Sequence, residues 1–247
     1  MRKILITGAS GGVVQAMVPL LADDFLILLG RDKEKIARLY AHHTNKLVFD
    51  TDIRDEVALR ELLDRIGEID ILVNNAGYGR FADFADFSSQ EVRDMFEINT
   101  FALMTLSRLV GEQMKRAQQG QIINIVSMAG FIASSKSSVY SATKFAAIGF
   151  SNALRLELAT SNIVVTTINP GPIATSFFEQ ADPGGAYLQS VKAFLLQPDV
   201  VARKIVGVMG TKKRELNVPW TLALAHKCYV LFPNLADFLA RTVFNYK

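Results

Sequence analysis

A tyrosine and a lysine stand four residues apart, Tyr140 and Lys144 in Tyr-Ser-Ala-Thr-Lys, inside a helix-forming run, and Ser127 lies thirteen residues before the tyrosine at the end of a β-like run. Positions i and i+4 share a helix face, so the ammonium can sit beside the phenol. A free phenol has a pKa of about 10, and a cation held ~4 Å away at an effective dielectric of ~20 is worth about 4 kcal/mol, roughly three pKa units. The pair is therefore expected to bring Tyr140 toward the neutral range, where a general acid or base works best. Taken alone, the same two residues read equally well as a surface lysine beside a half-buried tyrosine. The elements around them have to decide.

The chain has 247 residues, 50% apolar and 21% charged, enough for one sizeable core, and repeated α/β units commonly reach this size undivided. Residues 1–247 are read as a single domain, with a core over 1–218 and a helical extension over 219–247. One cysteine, Cys228, allows no internal disulfide, and His42, His43 and His226 offer no metal-ligand spacing, so no metal is expected. With no apolar signal region and no unbroken run of 18 apolar residues, a cytoplasmic location is the default. The net charge of +3 is uneven: residues 200–247 carry eight Lys or Arg against two acids. Such a basic end reads first as a solvated face, then as a contact for an acidic partner or an anionic membrane surface. Nucleic acid is not expected as a partner.

Short β-branched or leucine-rich runs at 3–7, 25–29, 46–49, 70–74, 121–127, 163–169 and, more weakly, 215–218 alternate with helix-like stretches near 13–22, 33–41, 54–66, 89–117, 138–160 and 199–209. Most of the strand runs are apolar at both parities, as parallel strands covered on both faces should be. The rhythm predicts one doubly wound parallel sheet of about seven strands between two helical layers. The first strand enters Thr7-Gly8-Ala9-Ser10-Gly11-Gly12-Val13-Val14 and then a helix. Glycines at such a turn let the backbone approach a pyrophosphate while helix N–H groups donate to it. At the end of the second strand, where an NAD site would carry an acid for the ribose 2′-hydroxyl, stand Gly30 and Arg31. A glycine removes bulk and an arginine offers a fork for a phosphate, which favours NADP(H) over NAD(H).

With these residues in order, the chain resembles the short-chain dehydrogenase/reductase family over roughly residues 3 to 218, a Rossmann-type fold. The resemblance implies cofactor contacts from Gly8, Ser10, Gly12 and Val13 in the glycine-rich turn. It implies an adenine contact at Asp52-Ile53 and an adenosine-ribose contact at Asn75-Ala76-Gly77, which follow Asn74. It also implies a nicotinamide wall at Pro170, Gly171, Ile173 and Thr175 within Pro-Gly-Pro-Ile-Ala-Thr. Asn99, Ser127, Tyr140 and Lys144 match the catalytic set, the last two also meeting the cofactor. One residue departs from the pattern: the third glycine of the turn is Val14, whose β-branched side chain is expected to push the helix outward or rotate the turn and so weaken cofactor binding.

The activity implied is interconversion of a ketone or aldehyde with an alcohol. Tyr140 delivers the proton, Ser127 donates a hydrogen bond to the same oxygen, Lys144 lowers the Tyr140 pKa and holds the nicotinamide ribose, and Asn99 anchors a water that relays protons to Lys144. The alternative on the same fold is a non-catalytic protein that binds and senses NADP(H). Asp23, Asp24 and Asp50 sit at expected turns and read as solvated, Asp52 being the exception.

The stretch after Thr175, from Ser176-Phe177-Phe178 through Gly184-Gly185 to Leu196, reads as an apolar lid and favours an apolar small-molecule substrate. Family members commonly pair through helices matching 89–117 and 138–160, so a homodimer or homotetramer is expected, with Phe145, Ile148, Leu154 and Leu158 facing outward. Residues 219–247 read as two amphipathic helices that cover the substrate mouth and subunit contact, or lie on a membrane surface.

Overall fold

The computed structural model describes residues 1–243; residues 244–247 and the side chains at 193 and 239–243 lie outside the described set. The end of the extension expected over 219–247 therefore falls outside it. Strands β1 (Lys3–Thr7), β2 (Phe25–Leu29), β3 (Lys46–Phe49), β4 (Ile71–Asn74), β5 (Gly120–Ile125), β6 (Ile163–Pro170) and β7 (Glu215–Val218) form one seven-stranded sheet in the order β3-β2-β1-β4-β5-β6-β7. All six pairings are parallel. The helices are α1 (Gly12–Met17), α2 (Lys33–Leu39), α3 (Glu56–Ile66), α4 (Ser89–Phe96), α5 (Ala102–Ala117), α6 (Ser138–Glu157), α7 (Phe177–Ala181), α8 (Ala186–Ser190), α9 (Pro198–Val206), α10 (Trp220–Leu231) and α11 (Pro233–Val243). Strand order reverses between β1 and β4, so a crevice opens at their carboxyl ends, where doubly wound sheets hold ligands.

The two parities of each strand feed two cores. Ile4 and Ile6 of β1 pack with Val14 of α1 and with Val201 and Ile205 of α9, whereas Leu5 packs with Leu59 of α3, Val110 of α5 and Leu154 of α6. Each fully buried Ile or Leu contributes about 1.5–3 kcal/mol, and charge within the strands is confined to the first residues of β1, β3 and β7, Lys3, Lys46 and Glu215. A buried polar thread crosses the second core: Asn74 Nδ2 donates to Asn124 Oδ1 and Ser107 Oγ at 2.9 Å each, and Asn124 Nδ2 donates to Ser151 Oγ at 2.8 Å. It fixes β4 and β5 against α5 and α6, and buried amides in a low dielectric hold such geometry tightly because losing a partner is expensive.

Several elements depart from the sequence expectation. The stretch 89–117 is two helices joined by a π-helical turn at Glu97–Phe101, with a capping box between Ser88 and Glu91 opening the first. β5 stops at Ile125, although Val126 N still donates to Ile168 O at 2.7 Å, so Ser127 lies just beyond the strand. Helix α1 gives way after six residues to a 3₁₀ segment, Val18–Leu21, where Pro19 supplies no amide hydrogen.

Asp24 is no solvated turn residue. It is 5% exposed, and its Oδ2 accepts from Arg2 Nη2 at 2.6 Å, which holds its carboxyl below the usual range and ties the chain's start to β2. Ile148, Leu154 and Leu158 are buried in the chain's own cores, and Phe145 alone of the four expected outward residues is exposed. Helix α10 spreads its apolar residues around its circumference rather than along one stripe, interrupted by His226 and Lys227, with no buried residue and with Trp220, Leu224, Val230 and Leu231 exposed. Among the described residues no helix is long and apolar enough to cross a membrane.

Candidate active site

Ser127 sits where the chain leaves β5. Its Oγ accepts from Ala129 N at 3.0 Å, closing a short 3₁₀ turn at Met128–Gly130. Helix α6 runs against that turn, and only glycine fits at 130, because a Cβ there would lie 2.8 Å from the Lys144 carbonyl oxygen. This close approach brings Tyr140 and Lys144, one helical turn apart, into the crevice at the carboxyl ends of the strands. Both are nearly buried, at 8% and 5% exposure. The Ser127 hydroxyl faces the Tyr140 phenol closely enough to lower its pKa, and Lys144 Nζ lies 5.7 Å from the centre of the Tyr140 ring.

The electrostatics run opposite to the sequence expectation. Burial pushes the Tyr140 phenol up to about 12, with the Ser127 hydroxyl pulling it partly back. Burial also pushes the Lys144 ammonium down to about 8. Desolvation disfavours whichever form is charged, and at this separation it outweighs the attraction that a ~4 Å pair would supply. At neutral pH Tyr140 thus keeps its proton, as a proton donor must, and most Lys144 side chains are still charged.

Asn99 is placed by the π-helical turn and is 1% exposed. Its Oδ1 accepts from Tyr78 N at 3.0 Å, and its Nδ2 donates to Tyr78 O at 2.8 Å and to Thr143 Oγ1 at 3.1 Å. The carboxamide therefore holds the turn at Gly77-Tyr78 against α6. A Cβ at Gly77 would come within 3.1 Å of Asn99 Oδ1 and 3.4 Å of Lys144 Nζ, so glycine keeps this junction closed.

The glycine-rich turn is built by cross-strand hydrogen bonds. Thr7 Oγ1 accepts from Asn75 N at 3.0 Å and Ala76 N at 2.9 Å, and Asn75 Nδ2 donates to Thr7 O and Gly8 O. Gly8 has φ +66°, and a Cβ on it would lie 2.8 Å from Ala76 Cα, a conformation and a closeness that glycine alone accommodates. Tyr40 props the turn from below, its hydroxyl donating to Ala9 O at 2.5 Å. Val14 does not disturb it: the side chain is fully buried against α9 and has no part in the cavity wall.

One cavity of about 1670 Å³ runs from this turn past Tyr140. Its wall includes Gly8, Ser10, Gly12, Val13, Arg31, Asp52, Ile53, Asn75, Ala76, Gly77, Ser127, Tyr140, Lys144, Pro170, Gly171, Ile173 and Thr175. The structure therefore brings together every anticipated cofactor contact and the catalytic set except Asn99, which stands behind Gly77.

Two cations not singled out in the sequence, Lys35 and Arg54, join Arg31 at the glycine-turn end. Arg54 grips Asp52, Nη2 to Oδ2 at 2.6 Å and backbone N to Oδ1 at 2.9 Å, which depresses the Asp52 pKa. Its place two residues after Asp52 was a local signal that could have been read.

Beyond Tyr140 the wall turns aromatic. The Tyr140 ring lies between Phe81, at 5.7 Å edge-on, and Phe177, at 5.8 Å. Phe81 is stacked on Tyr187 of α8 at 4.0 Å. Nothing local in the sequence marks Phe81, because its partners Tyr140, Phe178 and Tyr187 are remote in the chain. Leu222, Ala225 and Tyr229 of α10 and Leu235 of α11 complete this half as a roof, anchored by His226 Nδ1 donating to Phe131 O at 3.0 Å.

Comparison with known proteins gives this arrangement its class. The short chain dehydrogenase family model matches residues 2–184. Nodulation protein G of Rhizobium meliloti is 33% identical over 236 residues, covering 93% of this chain and 92% of that protein. Retinol dehydrogenase 8 of Bos taurus is 29% identical, covering 92% and 85% respectively. A short-chain dehydrogenase from Sphingobium yanoikuyae solved in complex with NADPH superposes with a TM-score of 0.80 at 25% identity, covering 97% of this chain and 96% of that one. This chain belongs to the short-chain dehydrogenase/reductase family of oxidoreductases.

Proposed function

We propose that the protein is an NADP(H)-dependent oxidoreductase that interconverts an apolar ketone or aldehyde with its alcohol, Tyr140 serving as general acid and base. The observation that carries this reading is a buried phenol beside Ser127, standing where a cation-lined half of one cavity meets an aromatic half. The fit to a dinucleotide rests on the cradle: glycines at 8 and 12 where a Cβ would strike Ala76 and Thr175, with Arg31, Lys35 and Arg54 beyond. Arg31 is assigned to the 2′-phosphate, with Lys35 near enough to assist. Ser10, Val13, Ile53, Asn75 and Ala76 line the adenosine side, and Gly171, Ile173 and Thr175 the nicotinamide side. When bound, the dinucleotide supplies or accepts the hydride.

The chain's own groups handle the proton and the charge. Tyr140 donates its proton to the substrate oxygen as negative charge develops there, and Ser127 donates a hydrogen bond to the same atom. Lys144 keeps a positive charge beside them and meets the cofactor ribose. The side-chain hydrogens of Asn99 are both committed to Tyr78 and Thr143, so its first task is to fix the floor beneath Lys144, and a relay water has only Oδ1 left to use.

The aromatic wall and the roof of α10 and α11 favour an apolar substrate, as does the likeness to a retinol dehydrogenase. Core and extension thus act as one unit, working in the cytoplasm, where the lone exposed Cys228 stays reduced. The outer face of α10, with Trp220, Leu224 and Leu231 at helical spacing and Lys227 between them, also suits weak contact with a membrane surface. Sedimentation with vesicles at low salt tests that contact.

The deciding experiment for the main reading is NADPH oxidation with a panel of aldehydes and ketones, run in reverse with NADP and alcohols. Turnover rising with substrate apolarity is expected. Tight cofactor binding without turnover across the panel would make the chain a sensor of NADP(H) instead.

A further inference from the structure

The cavity is electrically divided. At the glycine-turn end its wall holds Arg31, Lys35 and Arg54. Past Lys144 the described wall has no Arg or Lys, yet two carboxylates border it, Glu179 on α7 and Asp237 on α11. Neither has an ion-pair partner among the described residues. This half is also lined by Phe81, Phe177, Phe178 and Tyr187, a wall that is largely aromatic and holds no cation to receive an anion.

Resting on the reading of the chain as a reductase of apolar carbonyls, we infer that its substrate side selects by charge as well as by polarity. It accepts uncharged ketones and aldehydes and rejects the same skeleton bearing a carboxylate, with Glu179 and Asp237 as specificity-determining residues. An anionic substrate would have to leave water for a wall with no cation to receive it. It would also pass two like charges at the exposed mouth, whose repulsion weakens as salt is raised. A neutral substrate meets neither penalty. The cations at the far end do not offset this, since Asp52 pairs with Arg54 and the dinucleotide phosphates claim the others.

The test uses matched probes, methyl 4-acetylbenzoate and 4-acetylbenzoate, which share one aryl ketone and differ in a single charge. For the full-length protein, kcat/KM with NADPH is measured for both, and Kd for both is measured on the NADP-loaded protein. The carboxylate is expected to be poorer by about tenfold or more in both quantities, and the gap to narrow as salt is raised. In the double variant Glu179→Gln with Asp237→Asn, the ester-to-carboxylate ratio should fall by about threefold or more. Equal values for the two probes on the unaltered protein, or a ratio unmoved in the double variant, would overturn the inference. If neither probe is reduced but the ester still binds more tightly, the reductase reading fails while selection by charge stands.

Discussion

At the scale of single residues, the site is defined by two ionisable groups that burial has moved in opposite directions. Tyr140→Phe removes only the proton donor, so kcat is expected to fall by about two orders of magnitude or more with NADPH affinity intact. Steady-state kinetics beside a cofactor titration checks this, and a variant keeping a tenth of the activity would refute the role. Lys144 makes the sharper prediction. A buried amine lowered from 10.5 to about 8 destabilises the fold at every pH below 8, and the penalty lifts as pH rises from about 8 to 10.5, because only the unfolded chain still binds the proton there. Lys144→Met should therefore gain about 2–3 kcal/mol at pH 7 while losing activity, and the gain should shrink by pH 10. Thermal melts of both proteins at the two pH values decide it. Arg31→Ala should weaken NADPH by about 1.5–3 kcal/mol, the worth of a charge-assisted hydrogen bond, and leave NADH nearly unchanged. Equal losses would remove Arg31 from the 2′-phosphate.

At the scale of elements, the β/α alternation was legible because most strands are apolar at both parities and glycine follows β1, β2, β4 and β6 closely, and these signals are local. The glycine-rich turn, Asn75-Ala76-Gly77 and the spacing of Ser127, Tyr140 and Lys144 were legible for the same reason. What escaped depends on distance in space. The π-helical turn at Glu97–Phe101 has no breaker residue to announce it. The Phe81–Tyr187 stack joins remote segments, and how deeply Tyr140 and Lys144 are buried in the crevice depends on how closely Gly130 lets α6 approach. Helix α10 was misread because its inner face lines a cavity while its outer face is bare, so both sides are apolar. Val14 illustrates the limit of a motif taken by itself. Its side chain fills the seam between α1 and α9, so Val14→Gly should cost about 2–3 kcal/mol through the void and the added backbone freedom, with no gain in NADPH affinity. Denaturant melts and a cofactor titration check both halves, and tighter binding in the variant would restore the view that Val14 obstructs the turn.

At the scale of the whole molecule, Phe101 at the end of the π-helical turn and Phe145 of α6 are 48% and 45% exposed, apolar groups that a subunit contact on this face would cover. A homodimer or tetramer through this face is expected in light scattering, and Phe145→Glu should shift it toward monomer. A monomer at micromolar concentration in the unaltered protein would refute the assembly. The π-helical turn gives that assembly a further meaning. Within three positions it turns Asn99 inward to the Tyr78 and Thr143 contacts and Phe101 outward to the surface, so the two ends of this short segment answer to different neighbours. A helix loosened at Phe101 would loosen the floor under Lys144 as well. Specific activity should then depend on enzyme concentration, declining on dilution as subunits part and returning when the sample is concentrated again.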